Sequence, residues 1–160
     1  MTTTEVATLV DSNVLLDIVR TDPAWSSWSG QALARVADEG PVVINSIIYA
    51  EVSATYATVE EADAVLVGPA FVRAEVPWPA AFLAGRCHVE YRRRGGTRAR
   101  TLPDFFIGAH AAVLGMRLLT RDPSRYRTYF PTIELIAPVT GRSAPCFPSP
   151  LLLRRMSCCE

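Results

Sequence analysis

Apolar residues in this chain gather in short runs separated by longer amphipathic stretches. The run Val6-Ala7-Thr8-Leu9-Val10 predicts a first strand over roughly Ala7 to Val10. Asp11-Ser12-Asn13 then offers capping groups to a short helix through Val14-Leu15-Leu16-Asp17-Ile18-Val19. Pro23 suits the start of a second helix, which carries Trp25, Trp28, Leu33 and Val36 and stops at Gly40-Pro41. Val42-Val43-Ile44 reads as the second strand, and Ser46 is placed to cap the helix after it. Thr58 and Glu61 have the form of a capping box for a helix running toward Gly68-Pro69. Pro79 opens another helix through Ala84 and Val89 to Arg94, ended by Gly95-Gly96. One more helix follows Pro103 and reaches Gly115. Leu118-Leu119-Thr120 forms a third strand and Thr132 to Ile136 a fourth. Short apolar strands alternating with longer helices predict an α/β fold, a three-layer α/β/α sandwich around a central, mostly parallel sheet.

At 160 residues and 49% hydrophobic content, the chain suits one domain with a real core. The composition changes after residue 140, where Pro145, Pro148 and Pro150 precede Leu151-Leu152-Leu153, Arg154-Arg155 and Cys158-Cys159. Residues 1–140 are therefore read as the domain and 141–160 as a tail outside its core. The four cysteines (Cys87, Cys146, Cys158, Cys159) show no paired CxxC spacing, which supports neither a zinc site nor a disulfide framework. With no secretory leader in Met1-Thr2-Thr3-Thr4-Glu5 and no membrane-spanning apolar run, a soluble, cytoplasmic protein is expected.

Sixteen basic residues balance sixteen acidic ones, so net charge neither favours nor excludes a nucleic-acid partner. The distribution says more. From Arg86 to Arg100 six arginines face a single acid, Glu90. Every basic residue is arginine. Without lysine the chain cannot build a P-loop, nor the lysine-assisted aspartyl-phosphate site of receiver domains and haloacid-dehalogenase-type enzymes. The latter also want a second aspartate where this chain has Asn13.

Four acids are harder to read as surface decoration. Asp11 closes the first strand, and Asp122 lies just past the third. Glu51 interrupts the apolar stretch Ile47-Ile48-Tyr49-Ala50-Glu51-Val52, and Asp104 opens the helix after Pro103. Taken singly, Asp11 and Asp104 suit helix caps, and Asp122 suits a turn before Pro123. Jointly they fall on the edge that parallel strands share at their carboxyl ends, where ligands bind. Converging carboxylates repel unless a cation sits between them, and an oxygen-only set suits Mg²⁺ or Mn²⁺. Such a site can activate water and neutralise the charge developing in an in-line phosphoryl displacement.

Asp11-Ser12-Asn13, Ser46-Ile47-Ile48-Tyr49-Ala50-Glu51, the Asp104 helix and Leu119-Thr120-Arg121-Asp122 together resemble the signature of PIN-domain ribonucleases, and in length and order the VapC-like toxins of bacterial toxin–antitoxin pairs. The resemblance covers about residues 5 to 138. It implies that Asp11, Glu51, Asp104 and Asp122 form an acidic metal-binding quartet and that Asn13 and Thr120 orient it. It further implies Mg²⁺- or Mn²⁺-dependent RNA cleavage, a homodimer, and a small cognate antitoxin. The basic segment leading to Asp104 fits an RNA substrate: Arg92, Arg93, Arg94, Arg98 and Arg100 are placed to hold the phosphodiester backbone. The competing reading of Arg92 to Arg94 is a solvated helix end with favourable dipole placement. His88 and His110 are read as structural. A non-enzymatic alternative is a PIN-like binding or regulatory module whose metal site has degenerated.

Overall fold

Three strands form the middle of the sheet because their residues tolerate burial on both faces. These are β1 (Thr8–Val10), β2 (Val42–Ile44) and β4 (Arg117–Leu119), almost entirely buried. They belong to a computed structural model that describes residues 6–100 and 102–139. Two shorter strands, β3 (Val72–Arg73) and β5 (Leu135–Ile136), complete a five-stranded sheet in the order β3-β2-β1-β4-β5. Every pairing is parallel, with Leu9 beside Val43 on one side and Leu118 on the other. Helices α1 (Ser12–Val19), α2 (Ser26–Glu39), α3 (Ser46–Ser53), α4 (Val59–Leu66), α5 (Trp78–Arg93), α6 (Pro103–Leu114) and α7 (Ser124–Tyr129) make the crossovers. The result is the expected α/β/α sandwich. One continuous core runs through Leu9, Ile44, Ile48, Phe105, Ile107 and Leu118.

Several expected boundaries move, each for a local reason. The second helix starts at Ser26, not Pro23, because the Asp22 carboxylate accepts the amides of Ala24 and Trp25 (2.9 and 3.0 Å) and holds Pro23 in a turn. Asn45, not Ser46, caps α3: its Oδ1 accepts the N–H groups of Ile47 and Ile48, both at 3.0 Å. The capping box at α4 forms with a variation. Thr58 accepts the Glu61 amide at 3.2 Å, while Glu61 reaches the amide of Ala57 at 2.9 Å. The last strand covers only Leu135–Ile136 of the expected Thr132 to Ile136. Strand β3 and helix α7 have no counterpart among the expected elements. The former is two exposed residues, and the latter is short and polar. The expected tail, 141–160, lies outside the described residues. Among those described, no helix is long and apolar enough to cross a membrane.

Candidate active site

The strand order reverses between β1 and β4. At such a switch point a crevice opens beyond the carboxyl ends of the strands. Asp11 follows β1 directly and Thr120 follows β4, and the Asp11 N–H ties the two ends by donating to the Leu119 carbonyl (2.9 Å). Asp11 stands at the cap position of α1, yet its carboxylate makes no capping hydrogen bond. It turns instead into the crevice, where it is 3% exposed. There Oδ2 accepts from Asn13 Nδ2 (2.8 Å), Thr120 Oγ1 (2.8 Å) and the Tyr126 hydroxyl (3.0 Å). Burial raises the Asp11 pKa above the usual carboxylate range. The hydroxyls of Thr120 and Tyr126 work against that shift, and the charge of Glu51 adds to it.

Glu51 meets Asp11 through Ser12. The Ser12 hydroxyl donates to Glu51 Oε2 at 2.7 Å and stands 3.4 Å from Asp11 Oδ1. Asp104 lies in the first turn of α6, after Pro103. Its carboxylate forms an ion pair with Arg125 of α7. The next residue on α7, Tyr126, is the one bonded to Asp11, so α7 links Asp104 to the pair at β1. Burial, then the nearby charges of Asp11 and Glu51, push the Tyr126 phenol well above its ordinary range and keep it a donor.

Asp122 points elsewhere. Its Oδ1 accepts the Ser124 hydroxyl at 2.6 Å and the Ser124 N–H at 3.2 Å, bonds that hold its carboxyl below the usual range. Its backbone is nevertheless tied to the site, since the Asp122 N–H donates to Thr120 Oγ1 (3.2 Å). Asp11 and Glu51 are thus brought together, Asp104 is joined to them through Arg125 and Tyr126, and the Asp122 carboxylate serves its own turn. Among the described residues no three carboxylate, imidazole or thiol groups come close enough to hold one ion. The donor chemistry still fits a hard divalent cation. The groups are oxygens, Asp11 is buried, and neither Asp11 nor Glu51 is paired with an arginine among the described residues.

Asn13 and Thr120, the two residues read as supports, both donate to Asp11 Oδ2. Asn13 bridges strand ends: Nδ2 donates to Asp11, and Oδ1 accepts the Arg121 N–H at 3.1 Å. Arg121 in turn pairs with the buried Asp17 (2.8 Å), which accepts from Ser29 of α2 at 2.8 Å. The helices carrying Glu51 and Asp104 are joined inside the core, where Asn45 Nδ2 lies 3.0 Å from Nδ1 of the fully buried His110. Both histidines stand in structural surroundings, His88 stacked on Tyr91.

The basic segment divides by role. Arg92 folds back onto the Gly96 carbonyl (2.9 Å), and Arg94 pairs with Glu90 (2.8 Å) and lies over the Tyr129 ring. Arg93, Arg98 and Arg100 are exposed and form no ion pair among the described residues. Tyr126 and Arg125 are the site residues that sequence reasoning missed. Their signal is faint: Tyr126 and Phe130 at helical spacing just after Asp122.

An acid-edged crevice at the switch point of a fully parallel α/β sheet is the class of site defined here. The chain belongs to the PIN domain family, which matches residues 8–131. Solved structures share the fold. One is a chain of VapBC2 from Rickettsia felis bound to a DNA fragment from the promoter (TM-score 0.63, 17% identity, 82% of this chain and 98% of that chain). Another is from DNA-bound VapBC of Salmonella typhimurium (TM-score 0.62, 18% identity, 82% and 98%). A chain of a Klebsiella pneumoniae toxin–antitoxin complex is similar too (TM-score 0.54, 23% identity, 74% and 89%). No curated protein matches the chain at a significant level.

Proposed function

We propose that this protein is a Mg²⁺- or Mn²⁺-dependent endoribonuclease and the toxin of a toxin–antitoxin pair. The observation that carries the reading is the meeting of Asp11 and Glu51 on Ser12 at the strand switch, with Asp104 linked to them through Arg125 and Tyr126. Membership of the PIN family supports nuclease chemistry. Likeness to chains from toxin–antitoxin complexes supports a cognate antitoxin partner. A homodimer accords with the family resemblance.

Asp11, Glu51 and Asp104 would hold the cation, with Asp122 at the same edge; when bound, it neutralises charge building on the phosphodiester under attack. The chain's own contribution is orientation. Asn13, Thr120 and Tyr126 hold one oxygen of Asp11 and leave the other facing Ser12 and Glu51. Arg125 balances Asp104, and its part-exposed guanidinium fork suits a phosphate oxygen.

Purified protein should cleave RNA with Mg²⁺ or Mn²⁺ and stop with a chelator. Equal rates in the parent and in Asp104→Asn, measured side by side across a metal titration, would sink the assignment. The second reading, a binding module with a degenerate site, draws on the pairing of Asp104 with Arg125. RNA binding without cleavage at any metal concentration would favour it. Tyr126→Phe removes one of the three donors on Asp11 while keeping the ring. It should cost about 10–100-fold in cleavage, as loss of such an orienting partner does. A parental rate in a folded Tyr126→Phe protein would show that Tyr126 only packs.

A further inference from the structure

Beyond the acid cluster, α5 and α7 enclose a groove of about 270 Å³ lined by Arg86, Val89, Glu90, Arg93, Arg94 and Tyr129. Arg86 and Arg93 lie seven residues apart on α5, two helical turns or about 10 Å along one face. Both are exposed, and neither forms an ion pair among the described residues. The acid between them, Glu90, is already neutralised by Arg94 at 2.8 Å. Arg94 also covers Tyr129, its guanidinium carbon 5.5 Å from the ring centre. The groove therefore presents two uncommitted guanidinium groups beside a flat, polarisable Arg–Tyr pair.

Its position ties it to the acids. Tyr129 is one turn beyond Arg125 on α7, and residues four apart share a helix face. Arg125 holds Asp104, and Phe105, the next residue, meets the Tyr129 ring edge-on at 5.0 Å. A strand whose phosphate lies at the acid cluster would run along this face into the groove. Guanidinium forks suit phosphate oxygens. A stacking platform suits an unpaired base, which a duplex does not offer.

We propose that the α5–α7 groove holds the single-stranded flank of the RNA being cut, with Arg86 and Arg93 each on a backbone phosphate and a base stacked at Tyr129–Arg94. This rests on the nuclease reading and adds the path and form of the substrate. The test is the affinity of the full chain for a short labelled single-stranded RNA, measured in chelator over a range of salt. The Arg86→Ala/Arg93→Ala double variant should bind about tenfold more weakly at low salt. Its plot of log affinity against log salt should be shallower by about 1.4, twice the ~0.7 of one single-strand phosphate contact. Tyr129→Leu, checked for folding by its thermal melt, should lose about tenfold in affinity with the slope unchanged. A parental slope in the double variant would overturn the proposal. So would an equal loss in Arg20→Ala/Arg35→Ala, whose exposed arginines lie at the end of α1 and on α2, outside the groove. Loss of antitoxin binding with RNA affinity intact would make the groove a protein-docking face and overturn it as well. If the parent cleaves RNA while the groove variants bind normally, the groove alone fails. A parent that neither binds nor cleaves RNA takes the nuclease reading down with it.

Discussion

Asp11→Asn should abolish cleavage, by more than the roughly 100-fold that losing an orienting partner costs, and should leave the metal-free fold at least as stable at neutral pH. The second half follows from burial. Desolvation raises the Asp11 pKa in the folded protein above its ordinary value of 3.8. For a carboxyl whose folded pKa is raised, the favourable contribution is fully present below the unfolded value. It is lost as pH rises through the folded one. Once ionised, Asp11 is therefore a net cost to the metal-free protein, and the neutral amide removes it. Thermal melts in chelator should place Asp11→Asn at or above the parent at neutral pH, with the gap closing in acid. A variant clearly less stable than the parent at neutral pH would mean that the three donors on Oδ2 outweigh desolvation. A variant that still cleaves would remove Asp11 from the chemistry.

Phe105→Ala should be the most damaging core substitution near the site, costing about 3–5 kcal/mol. Phe105 is fully buried and meets Tyr129 edge-on at 5.0 Å, Tyr91 at 5.9 Å and His88 at 6.4 Å. Truncation leaves a cavity among three rings and forfeits the edge contacts with Tyr129 and Tyr91, each worth about 0.5–1.5 kcal/mol. Against a total stability of roughly 5–15 kcal/mol, that is a large share. Urea denaturation of parent and variant measures it. A loss below about 1 kcal/mol would mean the neighbouring rings collapse into the space. Because Asp104 precedes Phe105 on the same turn, cleavage should fall even where the variant remains folded. Phe105→Leu should recover part of both.

The parts of the fold legible in the sequence are those with a local cause. Strands β1, β2 and β4 announce themselves, since a run such as Val42-Val43-Ile44 between turn residues admits little but a buried strand. Thr58 with Glu61, and Pro103 before Asp104, mark helix starts through backbone chemistry that acts within one turn. Strand β3 leaves no such mark. Val72 and Arg73 are both exposed and are strand only because they register with Val43 and Ile44. Helix α7 hides behind Pro123 and four polar residues among its six. At the site, chain position brings Asp11, Glu51 and Asp104 to one edge, but the direction of a side chain depends on its partners. Arg125, distant in sequence, decides where Asp104 points, and Ser124 decides where Asp122 points. Spacing alone carries neither.

The contact between Asn45 and His110 fixes a proton. The Asn45 oxygen is committed to two helix amides, so its nitrogen must face the ring and donate to Nδ1. The imidazole of His110 is then the tautomer protonated at Nε2, an atom with no partner among the described residues. A second proton on Nδ1 would set donor against donor, and burial already lowers the His110 pKa below 6.5. The stability this neutral ring contributes is present above that value and is lost as pH falls through the lowered one. The junction between the Glu51 and Asp104 helices is thus a clasp that closes only on an uncharged ring, and acid is the condition that strains it.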